Sequence, residues 1–139
     1  MITGLQLQNF KSFKALDLAL GPLNIFLGAN ATGKSNLFDA FRVMQGVGNG
    51  FSLSEILDGK PKGDTSEVWP GIRGGSAMVW RRSGNPPALE DLKIRLSGVA
   101  NPGAVPWQYG LTLLPNLTAI YHGLIGHAGN RFSVAALES

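Results

Sequence analysis

The start of the chain alternates between apolar and polar positions, which is typical of strands that bury one face. Leu5 and Leu7 alternate with polar residues, and leucines occupy every second position of residues 16–20, which predicts two half-buried strands. An apolar run at residues 23–27 is entered through a Gly-Pro turn and predicts a third, more buried strand.

Residues after position 33 change to the period of a helix. Apolar side chains recur at spacings of three and four, which predicts a helix from Lys34 to about residue 45. We expect the apolar stripe to face the sheet and the polar positions to face elsewhere. The stripe consists of Leu37, Phe38, Phe41 and Met44, and the polar positions are Asp39, Arg42 and Gln45.

The second half of the chain predicts a short helix followed by an antiparallel meander. Ser52 and Glu55 have the spacing of a capping box, which predicts a helix through Leu57. Residues 58–75 are rich in Gly, Pro, Lys and Asp and predict a loop. Strands are predicted around residues 77–80, 92–96, 107–114 and 131–137.

Residues 28–35 read Gly-Ala-Asn-Ala-Thr-Gly-Lys-Ser and match the G-x-x-x-x-G-K-[ST] phosphate-binding loop. Its glycines allow the backbone to aim N–H groups at an anion, and the following helix adds its positive dipole end. We expect Lys34 to contact the β- and γ-phosphates and Ser35 to ligate Mg²⁺. The motif predicts nucleoside triphosphate binding, and the alternative is a glycine-rich turn before an ordinary helix. The predicted binding residues are Gly28, Ala29, Asn30, Ala31, Thr32, Gly33, Lys34, Ser35 and Asn36.

Composition narrows the class of protein. The 139 residues, 44% of them hydrophobic, suit one small domain with a core. No apolar run reaches the roughly 20 residues of a membrane span, the N-terminus lacks the pattern of a signal peptide, and Cys is absent. We therefore expect a cytoplasmic protein. The net charge of +3 is too small to indicate nucleic-acid binding by itself.

Three segments resemble the N-terminal lobe of ABC-type ATPases of the SMC, RecF, RecN and OLD nuclease group. Residues 5–13, Leu-Gln-Leu-Gln-Asn-Phe-Lys-Ser-Phe, resemble the opening of that group. Residues 16–27 resemble its second hairpin, and residues 28–40 resemble its loop and helix. Asn36 is typical of SMC- and RecF-like proteins, whereas transporter nucleotide domains more often carry Thr there. Ala31 replaces the group's usual Gly, and we expect binding to tolerate it at a conformational cost of about 1 kcal/mol.

The resemblance implies an α/β fold, the N-terminal lobe of a P-loop NTPase. A mixed β-sheet with the Walker A helix would be joined to an antiparallel β-meander, in one partial ATPase domain over residues 1–139. Residues 1–50 would hold the hairpin, P-loop and helix, residues 51–75 a short helix and loop, and residues 76–139 the meander. Residues 74–82 also resemble bacterial stand-alone proteins with an AAA ATPase domain.

The resemblance also implies a ligand, partners and a role. ATP and Mg²⁺ would bind, with Lys34 as the catalytic lysine. Lys11 would approach the nucleotide, although a solvated turn lysine is an equal alternative. Hydrolysis would need a C-terminal lobe or a homodimer partner. The complete protein would act in DNA repair, genome maintenance or phage defence, with DNA as a candidate partner and no membrane.

Two motifs that the group needs for hydrolysis have no counterpart in the sequence. No apolar run ends in Asp-Glu, as a Walker B segment does. Residues 96–98, Leu-Ser-Gly, resemble the signature motif but fall on a predicted strand, whereas the signature should open a helix. Binding without turnover is therefore the first alternative function.

Two further alternatives are a transporter nucleotide-binding subunit and a metabolic kinase. Asn36 and the opening at residues 9–12 argue against the transporter subunit. A kinase would need an acceptor site and an acidic base, and the sequence indicates neither.

Overall fold

The computed structural model describes residues 1–29, 33–60, 69–84, 88–100, 105–116, 119–125 and 130–137. Its elements in chain order are β1 (Ile2–Phe10), β2 (Phe13–Ala19), α1 (Lys34–Gly48), α2 (Leu53–Asp58), a 3-10 turn (Ser76–Met78), β3 (Leu92–Val99), β4 (Pro106–Leu113), β5 (Ala119–Ile125) and β6 (Asn130–Leu137). Within these ranges, no helix has both the length and the hydropathy needed to cross a membrane.

The six strands form one sheet in the order β2-β1-β3-β4-β5-β6, and all neighbouring pairs are antiparallel. β1 joins the N-terminal hairpin to the C-terminal meander, because Leu5 lies opposite Leu18 on one side and Leu96 on the other. The predicted alternation is present, with Leu5, Leu7 and Ile94 buried on one face. The antiparallel meander predicted for the second half is confirmed for β3 to β6.

The two helices supply the other half of the core. Ala40 and Val43 of α1 and Ile56 of α2 are completely buried in the same cluster as the sheet leucines. Each large apolar side chain buried in this way contributes about 1.5–3 kcal/mol relative to an exposed one. The packing fixes the position of α1, which carries the phosphate-loop lysine at its first residue.

The short helix α2 begins where the capping-box pattern predicts. The Ser52 hydroxyl accepts a hydrogen bond from the Glu55 backbone N–H at 3.3 Å, and the Glu55 carboxylate accepts one from the Ser52 backbone N–H at 2.9 Å. These reciprocal bonds satisfy two N–H groups that a six-residue helix would otherwise leave without partners.

Residues 23–27 do not form the predicted buried strand. Leu23, Ile25 and Leu27 are 80, 72 and 88% exposed, and none of the described strands pairs with this segment. Phe26 is half-buried and makes an edge-to-face contact with Phe38, at 6.2 Å between ring centroids. The prediction of a mixed sheet is thus corrected for the described residues. A continuous apolar run becomes a buried strand only where neighbouring strands cover its edges and faces.

The apolar stripe of α1 is only partly as predicted. Leu37 and Met44 are buried, but Phe38 is 57% exposed, while Asp39 is 6% exposed. The helix is therefore turned so that a carboxylate points inward and an aromatic ring points outward. The Asp39 carboxylate is paired there with the buried Lys11 ammonium, a contact that a periodicity of apolar residues cannot reveal.

The prediction of a strand at residues 77–80 is also wrong. This segment contains the 3-10 turn, and Trp80 makes a single antiparallel bridge to Phe10. Two consecutive positive-φ glycines, Gly74 and Gly75, bend the chain just before it and prevent an extended entry. The strands β3, β4 and β6 lie where they were predicted, whereas β5 was not predicted. Of the loop predicted at residues 58–75, residues 61–68 lie outside the described residues.

Candidate functional site

A glycine in a left-handed backbone conformation precedes α1 as its N-cap. Gly33 has a φ of 87°, in the left-handed region that favours glycine. A Cβ at this position would lie 3.1 Å from Phe13 Cζ and 3.2 Å from Ser12 Oγ. The second glycine of the motif is therefore needed both for the turn and for close packing against the β1–β2 turn.

The first turn of α1 places the predicted phosphate-binding side chains next to this glycine. Lys34, Ser35 and Asn36 are all partly buried. No side-chain cap is found for this helix among the described residues, and no acidic residue lies in its first turn. The first intrahelical bond runs from the Leu37 N–H to the Gly33 carbonyl at 3.0 Å. Within the described residues, no side chain accepts a hydrogen bond from the earlier N–H groups, so these groups and the positive dipole end of α1 could bind an anion.

The turn between β1 and β2 is tied to the same helix. The Asn36 side-chain amide donates a hydrogen bond to the Ser12 hydroxyl at 2.9 Å. This bond gives Asn36 a structural role that its position after the motif did not predict. The residues before the helix are less enclosed: Gly28 and Ala29 are exposed, and Asn30, Ala31 and Thr32 lie outside the described residues.

Lys11 forms a buried ion pair with Asp39, and the exposed Arg73 completes an ionic cluster with them. The Lys11 ammonium lies 2.6 Å from the Asp39 carboxylate, and the two side chains are 7 and 8% exposed. The same ammonium donates to the Arg73 backbone carbonyl at 2.6 Å, and Arg73 Nε lies 3.5 Å from Asp39. The alternative of a solvated turn lysine is therefore wrong.

The cluster connects three separate segments of the chain. Lys11 follows β1, Asp39 lies on α1, and Arg73 precedes the 3-10 turn. Lys11 has a φ of 49°, and its backbone N–H donates to the Val79 carbonyl at 2.9 Å. The sequence did not predict the role of Asp39. The only indication in the sequence was an acidic residue one helical turn after Ser35.

The Ser35 hydroxyl is suited to act as a single oxygen ligand of Mg²⁺. Mg²⁺ takes few protein ligands and completes its coordination with water and phosphate oxygens, so a hydroxyl in the first turn suits it. Asp39 is engaged by Lys11 and Arg73 and does not add a carboxylate. Within the described ranges, no three His, Cys, Asp or Glu residues are grouped in a way that could hold a metal.

The segment that resembles a signature motif lies inside a strand. Residues 96–98 belong to β3 and pair with both β1 and β4. Glu90 and Asp91 form an Asp/Glu pair just before β3. The Asn9 side-chain amide donates hydrogen bonds to the Glu90 carboxylate and to the Asp91 backbone carbonyl, each at 3.0 Å. Neither segment has the structural context of a hydrolytic motif.

Comparisons with known proteins found similarity to a domain family and to a curated relative. The AAA domain family matches residues 4–48. A curated relative from Chlamydia abortus, "DNA replication and repair protein RecF", is 36% identical over 58 residues. That match covers 41% of this chain and 16% of the relative. The residues that the family model matches include β1, β2 and most of α1.

Proposed function

We propose that this chain, whose N-terminal segment is that of an SMC/RecF-like P-loop ATPase, binds ATP with Mg²⁺ at the start of α1. The observation that carries the proposal is the uncapped first turn of α1 behind a left-handed glycine, with Lys34 and Ser35 at its first two positions. A phosphate at this place would meet backbone N–H groups, a positive dipole end and an ammonium group together.

The roles of the side chains follow from their chemistry. Lys34 would act as a point charge on the β- and γ-phosphates, and the Ser35 hydroxyl would hold Mg²⁺. The backbone of residues 28–33 would form the remainder of the anion nest. The Lys11–Asp39 ion pair would hold the β1–β2 turn against α1, so that these groups keep their positions before the ligand arrives.

Hydrolysis is proposed to depend on residues beyond this sequence. The 139 residues contain no apolar run that ends in Asp-Glu, and residues 96–98 lie within β3. A C-terminal lobe or a second ATPase molecule would supply the missing groups. Since the relative from Chlamydia abortus is named for DNA replication and repair, we also propose that the complete protein acts on DNA.

Titration calorimetry of the 139-residue chain with ATP and Mg²⁺ tests the binding proposal. We expect saturable binding by the wild type and a loss of at least about tenfold in affinity for Lys34→Ala, because one charge-assisted phosphate contact is worth about 1.5–3 kcal/mol. Lys14→Ala is the matched control, since Lys14 is exposed on β2. Equal affinities for both variants would contradict the proposal.

A phosphate-release assay separates binding from turnover. We expect the wild-type chain alone to release phosphate no faster than Lys34→Ala. Turnover by the wild type that disappears in Lys34→Ala would show that the 139 residues contain a complete catalytic site, and would overturn the dependence on another lobe.

A further inference from the structure

β1 changes one of its neighbours at Asn9. Up to Gln8 the strand pairs with β3 on this side. Beyond that point the segment after the 3-10 turn takes the place of β3. The Arg81 backbone N–H donates to the Asn9 carbonyl at 3.0 Å, and Phe10 forms a single bridge with Trp80. Asn9 therefore lies where β1, the start of β3 and the segment after the 3-10 turn meet.

The Asn9 side chain connects β1 to the start of β3 beyond the end of their backbone pairing. Only 6% of the residue is exposed, and an Asn amide has two protons to donate. One hydrogen bond goes to the Glu90 carboxylate and one to the Asp91 backbone carbonyl, each at 3.0 Å. Both acceptors lie immediately before β3. The amide thus ties the end of β1 to the first strand of the meander.

The backbone of Asn9 sets the shape of the turn that follows. Its φ is 54°, in the left-handed region that Asn adopts more readily than most residues with a side chain. Regular alternation would place Phe10 on the same face as Gln8, which is exposed, but Phe10 is completely buried. The left-handed residue between them reverses the alternation and directs the ring into the core.

The β1–β2 turn contacts the N-terminal part of α1 at several points. The Ser12 hydroxyl accepts a hydrogen bond from the Asn36 amide at 2.9 Å, and the Lys11 ammonium lies 2.6 Å from the Asp39 carboxylate. The turn also leaves no room for a side chain at Gly33, where a Cβ would lie 3.2 Å from Ser12 Oγ. A displacement of the turn would therefore move the start of α1 or break these contacts.

We propose that Asn9 is a positioning residue for the phosphate site at the start of α1. The proposal rests on the proposed function, and it adds a residue that acts through the β1–β2 turn and binds no phosphate itself. The left-handed backbone of Asn9 gives the turn its shape, and its amide fixes the turn to the start of β3. Phosphate affinity therefore depends on the connection between the meander and the turn.

Two substitutions separate the backbone conformation of Asn9 from its side-chain hydrogen bonds. Asn9→Gly removes the amide but keeps access to the left-handed region, whereas Asn9→Ala removes the amide and disfavours that region. In calorimetry with ATP and Mg²⁺, we expect about tenfold weaker binding for Asn9→Ala and about threefold weaker binding for Asn9→Gly. Glycine rescues part of the affinity because the turn keeps its shape but loses its tie to β3.

Gln8→Ala is the matched control, because Gln8 is the exposed neighbour of Asn9 on β1 and also loses a side-chain amide. It should bind ATP as the wild type does. Leu111→Ala controls for general destabilisation, since Leu111 is completely buried on β4, which does not pair with β1. It should lower the melting temperature at least as much as Asn9→Ala, yet change the ATP affinity of the folded protein by less than about twofold.

Amide hydrogen exchange of the ligand-free chain gives a measurement that does not need ATP. The Leu37 N–H makes the first intrahelical bond of α1, and Val43 lies in the middle of the helix. We expect Asn9→Ala to accelerate exchange at Leu37 about fivefold more than at Val43, because only the start of the helix loses its support. Leu111→Ala should accelerate both amides alike.

The outcomes distinguish the two proposals. A wild-type chain that binds no ATP would overturn the proposed function, and the role of Asn9 in phosphate binding with it. Unchanged ATP affinity in Asn9→Ala would overturn the role of Asn9 and leave the phosphate site intact. Equal acceleration of exchange at Leu37 and Val43 would also overturn it, because that pattern indicates general destabilisation. If Asn9→Ala does not fold, unchanged ATP affinity in Asn9→Gly is the result that overturns the proposal.

Discussion

The buried Asp39 carboxylate is compensated by two cations from distant segments, one buried and one exposed. The Lys11 ammonium is the closer partner at 2.6 Å, and Arg73 Nε lies at 3.5 Å. A buried pair of this kind adds little net stability over apolar packing, but the loss of one member leaves the other uncompensated. The cluster therefore makes the arrangement of three segments sensitive to one carboxylate.

We expect Asp39→Asn to lower the free energy of unfolding by about 3 kcal/mol, because Lys11 would keep a buried charge with only a carbonyl as its partner. Urea denaturation followed by circular dichroism measures this change. Asp17→Asn is the matched control, since Asp17 is exposed and accepts a surface hydrogen bond from Gln6. A difference below about 0.5 kcal/mol between the two variants would contradict a structural role for the cluster.

The residue scale also shows where sequence reasoning stops. The need for glycine at position 33 could be predicted, because the motif places its second glycine there and the backbone adopts a left-handed conformation that favours glycine. The burial of Asp39 could not, because its partners lie 28 and 34 positions away and only the fold brings them together. The position of Lys34 was predictable, whereas the contact of Asn36 with Ser12 was not.

At the scale of elements, α2 shows how much of a helix a local pattern determines. The capping box is formed, and the backbone hydrogen bond from Ser52 is the main reason that the pKa of Glu55 lies below its ordinary value of 4.5. Both partners lie within four residues, so no distant contact is needed. A prediction from local sequence succeeds under these conditions.

We expect Glu55→Gln to be less stable than the wild type at neutral pH, and the difference to shrink in acid. Because the pKa of Glu55 is lower in the folded state, its carboxylate stabilises the fold at pH values above the pKa that it has in the unfolded chain. This contribution is lost as the pH falls through the lower pKa of the folded state. Thermal melting of both proteins from pH 7 to pH 3 measures the effect.

The control for this experiment is Ser52→Ala, which removes the hydroxyl cap. It should cost about 1 kcal/mol at neutral pH. A Glu55→Gln difference that grows towards low pH would contradict the assigned direction of the pKa shift.

Other elements needed information that no local pattern contains. Residues 23–27 have the composition of a buried strand, but a strand also requires a neighbour, and none of the described strands provides one. Residues 77–80 are apolar enough for a strand, yet two left-handed glycines at 74 and 75 direct the chain into a 3-10 turn. β5 was missed because glycine and histidine interrupt its apolar pattern.

At the scale of the whole molecule, residues 23–27 contain the three most exposed large apolar side chains among those that the structure describes. Leu23, Ile25 and Leu27 lie close in sequence and are each more than 70% exposed, and Phe38 of α1 is 57% exposed. Contiguous apolar surface of this kind promotes association. We describe these four residues as the apolar strip.

We expect the double variant Ile25→Thr with Leu27→Ser to self-associate less than the wild type, with a melting temperature within about 2 °C. Light scattering of the size-exclusion peak at several concentrations measures the association. Leu5→Ser is the contrasting variant, since Leu5 is completely buried and its replacement should unfold the chain. Unchanged association in the double variant would show that the apolar strip is not the contact surface.

The order of the strands has a consequence for how the chain folds. β1 pairs with β3, so that Gln6 and Arg95, 89 residues apart in sequence, are hydrogen-bonded neighbours. The loop between these strands contains the phosphate motif, α1 and α2, and closing a loop of this length carries an entropy cost that contacts repay only afterwards. During synthesis on the ribosome, the phosphate loop is made long before β3. The hydrophobic core that α1 shares with the sheet can therefore be completed only after β3 has been synthesised.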